Sequence, residues 1–322
     1  MKLKHLFAGI AAACLLITNC LAAGYPDKLV KIIVPWPAGG LVDMPARLIA
    51  ARLSQKYGQS FIVENKPGAG GIIGAQEVAR AAPDGYTLMV TTSSLNMNAA
   101  IRKTMPFDVD KAFEPVTLVA FAPSILVVNP VKGPKSVSAL IALAKSKPGK
   151  LTYGSAGIGT PAQFAAELFK TREGLDIVHV PYKGAPPAMM DQIAGRIDFH
   201  FANAAVALPQ IKSGKVLGLA VTSPKRFAPL PDIPTMAEAG IPDFNADQWV
   251  GMLAPQGTPK AIVDELSAEI GKMLDDEGVR ATLTKNGMVP AAATSPADFS
   301  AYLKKDLARW THVAKVAHIE AQ

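Results

Sequence analysis

The sequence predicts an α/β protein in two similar halves that face each other across a cleft. Three observations lead there. Short apolar runs alternate with amphipathic helix patterns, which predicts mostly parallel sheets flanked by helices. A strand pattern empties through a glycine-rich loop into a helix near residues 29–57 and again near 151–167. The chain has 322 residues, room for two domains, and its pattern implies more than one crossing between halves. With 49% hydrophobic and 18% charged residues the composition fits a packed globular chain and excludes a disordered one.

Residues 1–23 stand apart from that fold. Lys2, Lys4 and His5 open the chain, an apolar run follows, and small residues around Cys20 to Ala23 offer a cleavage site, the pattern of a secretory leader. The run is too short for a confident membrane span. Lipid attachment at Cys20 is the weaker reading, because Asn19 stands where such signals want a small residue. Both cysteines, Cys14 and Cys20, lie in this leader, so the rest of the chain has no disulfide and no thiol chemistry. The formal net charge is +7, and +5 without Lys2 and Lys4. No Lys/Arg run or nucleic-acid motif accompanies it, so the charge reads as solubility with a mild bias toward anionic ligands.

In order, residues 29–34 read as a buried strand, 35–40 (PWPAGG) as a turn, and 43–57 as a helix with Asp43 as a capping candidate. Residues 61–64 form the next strand. The PGAGG run at 67–71 leads into a helix through Ala79, without the lysine or the spacing of a nucleotide loop. Residues 86–90 form a strand that ends in Thr91, Thr92, Ser93 and Ser94. Hydroxyls there either hold a polar ligand at the carboxyl end of a sheet or cap the following helix.

From about Val116 the pattern shifts. Strands are expected at 124–129, 151–155, 177–181, 197–201 and 216–222, with helices at 137–145, 186–194 and up to 211 between them. The stretch GSAGIGTPAQFAAE, 154–167, organises this half. Thr160 suits the N-cap and Pro161 the first helical position. Gly154, Gly157 and Gly159 let the backbone approach a ligand, and exposed amides at a helix start suit an anion, here a carboxylate. Residues 224–242 read as a surface connection. After an apolar run at 248–254, two amphipathic helices finish the chain: Ile262, Leu266, Ile270 and Met273 share a face in one, and Phe299, Leu303, Leu307, Trp310 and Val313 in the other.

Other chemistries fit poorly. Ser155 is not flanked by glycines as in a nucleophile elbow, which makes a hydrolase the lesser alternative. Asp43 reads as loop support before it reads as a catalyst, and Asp198 as structural. His179, His200, His312 and His318 have no zinc-binding spacing, and His200 reads as structural rather than cleft-lining. No metal and no cofactor is expected. Trp36 and Phe164 are candidate walls for a ligand, Trp36 with the better claim because prolines hold it in a loop.

The segments VPWPAGGLVD (34–43), ENKPGAGG (64–71), PDGYTL (83–88), GSAGIGT (154–160), VPYKG (180–184) and the run from Leu230 to Thr235 occur in an order that resembles the Bug, or TctC-like, substrate-binding proteins of tripartite tricarboxylate transporters. The resemblance spans nearly all of residues 24–322. It implies a type II-like Venus flytrap in the periplasm, with domain I at 24–122 and 245–322 and domain II at 123–244. It implies a monomer that binds a small organic carboxylate, without catalysis, for an inner-membrane permease. A sensor co-receptor is the alternative partner arrangement. The implied pincers are the loop from Pro37 to Asp43 (Ala38, Gly39, Gly40 and Asp43, beside Trp36) and the loop Ser155, Ala156, Gly157, Gly159 and Thr160. Thr92, Ser93, Ser94, Phe164 and Asn203 complete the implied cleft. The chain departs from the family pattern at Leu41 and Val42, where Ser or Thr often precedes the aspartate. It departs again at Pro161 to Phe164, where a histidine is common, at Ala202 in place of an acid, and at Trp36 in place of Phe. These changes favour a dicarboxylate with an apolar body or an aromatic carboxylate.

Overall fold

A computed structural model describes residues 24–319; the expected leader and its cysteines lie outside the described residues. Two sheets form the frame. The first contains β1 (Val30–Val34), β2 (Phe61–Asn65), β3 (Thr87–Thr92), β4 (Phe113–Ala122), β10 (Gln248–Pro255) and β11 (Val289–Pro290), in the order β11-β4-β10-β3-β1-β2. The second contains β5 (Ser124–Val128), β6 (Thr152–Ser155), β7 (Val178–Pro181), β8 (Phe199–Asn203) and β9 (Leu217–Val221), in the order β7-β6-β8-β5-β9.

The first sheet packs with α1 (Asp43–Tyr57), α2 (Ile72–Ala79), α3 (Ser94–Ile101), α8 (Lys260–Asp275) and α9 (Glu277–Lys285). The second carries α4 (Val137–Ser146), α5 (Pro161–Glu173), α6 (Ala185–Ala194) and α7 (Ala204–Lys212). The last helix, α10 (Pro296–Val316), serves both. It packs on α3 and β4, while Trp310 meets Phe164 of α5 edge-on at 5.3 Å. We call each sheet with its helices a lobe.

Alternation of strands and helices predicts mostly parallel sheets, and the sheets are mixed instead. β1 pairs in parallel with β2 and β3, and β6 with β7 and β8, as alternation requires. β10 is antiparallel to β3 and β4, and β5 is antiparallel to β8 and β9. The antiparallel strands are those next to the crossings between lobes. β4 runs directly into β5 through Pro123, with no helix to reverse the chain. The run 113–122, which holds Pro115, carries no strand expectation. In the structure a register shift opposite Met252 and Leu253 accommodates that proline, which has no amide to donate.

Two further expectations fail. Residues 224–242 are not a surface connection: Phe227, Leu230 and Ile233 join the core under α7, and Met236 and Ile241 join the core that holds Phe164 and Phe169. The chain also ends in three helices, not two. α9 escapes notice because Leu283 is its one buried residue, although Asp276 caps it by accepting from the Val279 amide at 2.9 Å. The apolar face of α8 is as expected, with Ile262, Leu266, Ile270 and Met273 buried; on α10 Phe299, Trp310 and Val313 are buried, while Leu303 and Leu307 are half-buried. At the seam of α3, β10 and α10, the Asp306 carboxylate accepts from Asn96 Nδ2 at 3.0 Å, Trp249 Nε1 at 2.8 Å and Trp310 Nε1 at 2.9 Å. No described helix is long and apolar enough to cross a membrane.

Candidate functional site

Both glycine loops sit at strand ends, and a third structure lies between them. β3 ends at Thr92, and α3 starts at Ser94. Ser93 occupies the N-cap, yet its side chain accepts nothing from the helix. The Thr92, Ser93 and Ser94 hydroxyls are all buried and find no hydrogen-bond partner among the described residues. Of the two sequence readings of this turn, capping is the one the geometry does not support. Leaving a buried hydroxyl unpaired costs about 1–3 kcal/mol, so three in succession mark a place built to meet something polar.

In the first loop the glycine amides are occupied. Gly39 donates to Asp43 Oδ2 at 3.0 Å, and Gly40 to the Pro37 carbonyl at 3.3 Å. Asp43 is no cap; it is the first residue of α1. Its carboxylate turns back to Gly39 and also accepts from Arg47 at 2.9 Å and Asn65 at 2.9 Å. Burial opposes its ionisation, but the bonds from Arg47, Gly39 and Asn65 outweigh that and hold its carboxyl below the usual range. Asp43 therefore braces the loop. The amides of Ala38, Leu41 and Val42 have no partner among the described residues. Trp36 lies half-buried beside them, packed at Gly71, and its Nε1 is buried without a partner.

The second loop repeats this economy. Gly157 donates to Ser155 Oγ at 3.1 Å and Gly159 to Gln163 Oε1 at 2.8 Å. Thr160 has the N-cap backbone, and Pro161 opens the helix, as expected. Its hydroxyl, however, donates to the Gly157 carbonyl at 2.6 Å instead of capping. Ser155 is fully buried, with Oγ 2.6 Å from His179 Nε2. Burial, helped by the Lys170 charge, pushes the His179 imidazole down to about 4, so it is neutral at pH 7. Here the amides of Ala156, Ile158 and Thr160 have no partner among the described residues.

Two expected site residues, Phe164 and Asn203, serve elsewhere. Phe164 is fully buried and packed on Trp310, so it is core and not a ligand wall. Asn203 Oδ1 accepts from the Val206 amide at 3.1 Å and caps α7. His200 is 1% exposed on the β8 face opposite Phe199 and Phe201, away from the loops, and burial pushes its pKa down to about 4. The reading of Asp198 as structural holds, whereas His200 is buried as a structural histidine would be but its Nδ1 finds no partner among the described residues. The Asp198 carboxylate accepts from Thr152, whose amide donates at 2.7 Å. Cavities of about 220 and 770 Å³ lie along α10 and are lined by none of the expected site residues.

Sequence reasoning passes over Asn98. It is fully buried and touches two parts of the site, the hydroxyl row and the second loop, together with the PGAGG run beside the first. Nδ2 donates to the Ser94 carbonyl at 2.8 Å, to Gly70 at 3.2 Å and to Gly159 at 3.3 Å. It lies one turn beyond Ser94 in a helix with no other signal, and only the fold brings Gly70 and Gly159 to it. Gln163, which receives the Gly159 amide, was equally silent. Among the described residues no cluster of His, Asp or Glu is arranged to hold a metal.

A family model described as "Tripartite tricarboxylate transporter family receptor" matches residues 45–318. Protein BugT of Bordetella pertussis is 36% identical over 310 residues, covering 96% of this chain and 93% of that one. A solved R. palustris protein with adipate superposes with a TM-score of 0.86 at 38% identity, covering 92% of this chain and 99% of that one. MatC from Rhodopseudomonas palustris with bound malate gives a TM-score of 0.83 at 32% identity, covering 90% and 99%.

Proposed function

This chain belongs to the tripartite tricarboxylate transporter receptor family, whose members are periplasmic substrate-binding proteins and not enzymes, and we propose that it captures a small organic carboxylate between its lobes for delivery to an inner-membrane permease. The observation that carries this reading is the row of unpartnered Thr92, Ser93 and Ser94 hydroxyls. The two sets of free amides extend it. A carboxylate is an acceptor with about four lone-pair sites, and hydroxyls and amides are its complement. Such donors hold an anion without a buried cation and can release it again.

The ligand we favour is a dicarboxylate with an apolar body or an aromatic carboxylate. Trp36, Leu41 and Val42 supply apolar surface beside the first loop, and relatives solved with adipate and malate hold dicarboxylates. In this reading residues 24–122 with 245–322 form one domain and 123–244 the other, and the chain bends where it crosses at Pro123 and near 244–247. A ligand that touches both loops at once shifts the population toward the closed form, which the permease then recognises. The leader directs the chain to the periplasm and is removed.

A thermal-shift screen of the purified protein against di- and tricarboxylates, aromatic acids and amino acids tests this. A ligand that binds only the folded state raises the melting temperature. One carboxylate class is expected to raise it by several degrees. A flat response to every anion refutes the reading.

A further inference from the structure

The Asn98 side chain joins the lobes directly. Gly70 belongs to the lobe of the six-stranded sheet and Gly159 to the other, and one amide group donates to both carbonyls. Its orientation is set by Arg102. That guanidinium has donors only, so Asn98 Oδ1 must face it, and Arg102 Nε donates to Oδ1 at 3.0 Å. Nδ2 is thereby aimed at the three carbonyls, which share its two hydrogens. Arg102 itself is tied to the Ala69 carbonyl at 3.4 Å, which fixes the pair to the first lobe. Met97 and Ile101, the neighbours of Asn98 on α3, share a core with Phe164 and Phe169 of the second lobe, and Gly159 can approach Asn98 because it lacks a side chain: a Cβ there would lie 2.7 Å from Asn98 Oδ1.

We propose that Asn98 is a latch that holds the lobes together in the absence of ligand, and so sets how much of the unliganded protein is already closed. The proposal rests on the reading that a carboxylate binds between the two glycine loops. Its physical basis is independent of the ligand, since every acceptor of the latch is a backbone carbonyl. Apparent affinity scales with the fraction of protein in the binding-competent form, so the latch raises affinity without touching the ligand. One ordinary hydrogen bond across the lobes changes the closed-to-open ratio about fivefold, which is the upper bound for the shared bond to Gly159.

The test is a spin-label distance measurement on the unliganded full chain, with Cys14 and Cys20, its two native cysteines, replaced by serine. Labels go on Ile73→Cys and Met190→Cys, exposed positions in the first and second lobes. The parent is expected to show a dominant short distance. In Asn98→Ala the long-distance population grows by up to about fivefold relative to the short one. In Asn98→Asp it grows further, because an acceptor then faces three carbonyls. Should Asn98→Ala not fold, Arg102→Met, which frees the amide to turn away, is expected to give the same change in smaller degree. Distance distributions identical to the parent in the folded variants overturn the latch, even where the melting temperature falls, since a purely structural role lowers stability without opening the lobes. The measurement uses no ligand, so a thermal-shift screen that finds no anion sinks the carboxylate reading and leaves this result standing. Where the screen finds a ligand, Asn98→Ala weakens its binding by the ratio of the two closed fractions, a smaller factor than about fivefold because the parent is mostly closed.

Discussion

Ser155 Oγ lies 2.6 Å from His179 Nε2, and the pair supports a loop instead of forming a nucleophile and base. The serine is fully buried and also takes the Gly157 amide. The imidazole is stacked on Tyr153 at 4.7 Å, and its other ring nitrogen receives no carboxylate among the described residues. His179→Ala is therefore expected to weaken carboxylate binding several-fold by loosening the loop, with Ser155→Ala doing the same. Calorimetric titration with the ligand found by thermal shift measures this. Wild-type hydrolysis of a chromogenic ester that Ser155→Ala abolishes would contradict the assignment.

The three hydroxyls at the end of β3 separate a ligand site from a helix cap. Loss of a working N-cap costs typically about 1 kcal/mol of stability. Ser93 makes no such bond, so Ser93→Ala is expected to leave urea stability unchanged or raise it by up to about 1 kcal/mol. The same variant is expected to weaken ligand binding about 3- to 10-fold, the range of one neutral hydrogen bond. A stability loss with unchanged binding would return Ser93 to a capping role.

Acid sensitivity follows from the buried histidines. His179 and His200 both fall to about 4 in the fold, against an ordinary 6.5. Between those values the unfolded chain binds protons that the folded chain refuses. Their contribution is complete above pH 6.5 and is lost as pH falls toward 4. For the fully buried His200 the loss is on the order of 3 kcal/mol, and His200→Leu is expected to flatten the slope of urea stability against pH. Asp247 acts in the opposite sense. Burial, only partly offset by Thr222 and Arg309, raises it to about 6, so its contribution falls as pH rises from about 4 to 6. Asp247→Asn should therefore steepen the acid slope.

Asp306 ties the last helix to both neighbours through three donors, two of them indoles. Asp306→Ala leaves Asn96, Trp249 and Trp310 with buried unpaired N–H groups. The expected loss is about 3 kcal/mol or more, read from urea unfolding at pH 7. A loss under 1 kcal/mol would show that the seam rearranges to satisfy them.

The sequence by itself determined the local elements and the positions of the turns. The helix at Asp43–Tyr57 matches its expected bounds, and Pro161 opens α5, because apolar spacing and helix-start chemistry act over a few residues. Glycine content likewise marked both loops. The folded structure alone shows which groups in those loops remain free, although the bonds that close each turn are local. Glycine makes the turn possible, but the turn is closed by hydrogen bonds that consume the amides of Gly39, Gly40, Gly157 and Gly159, leaving those of Ala38, Leu41, Val42, Ala156, Ile158 and Thr160. Tertiary structure decided that Phe164 packs inward and that Asn98 meets Gly70 and Gly159, since those partners lie 28 and 61 residues away in the chain. No periodicity or cap extends that far; only folding sets the distance between residues from different lobes.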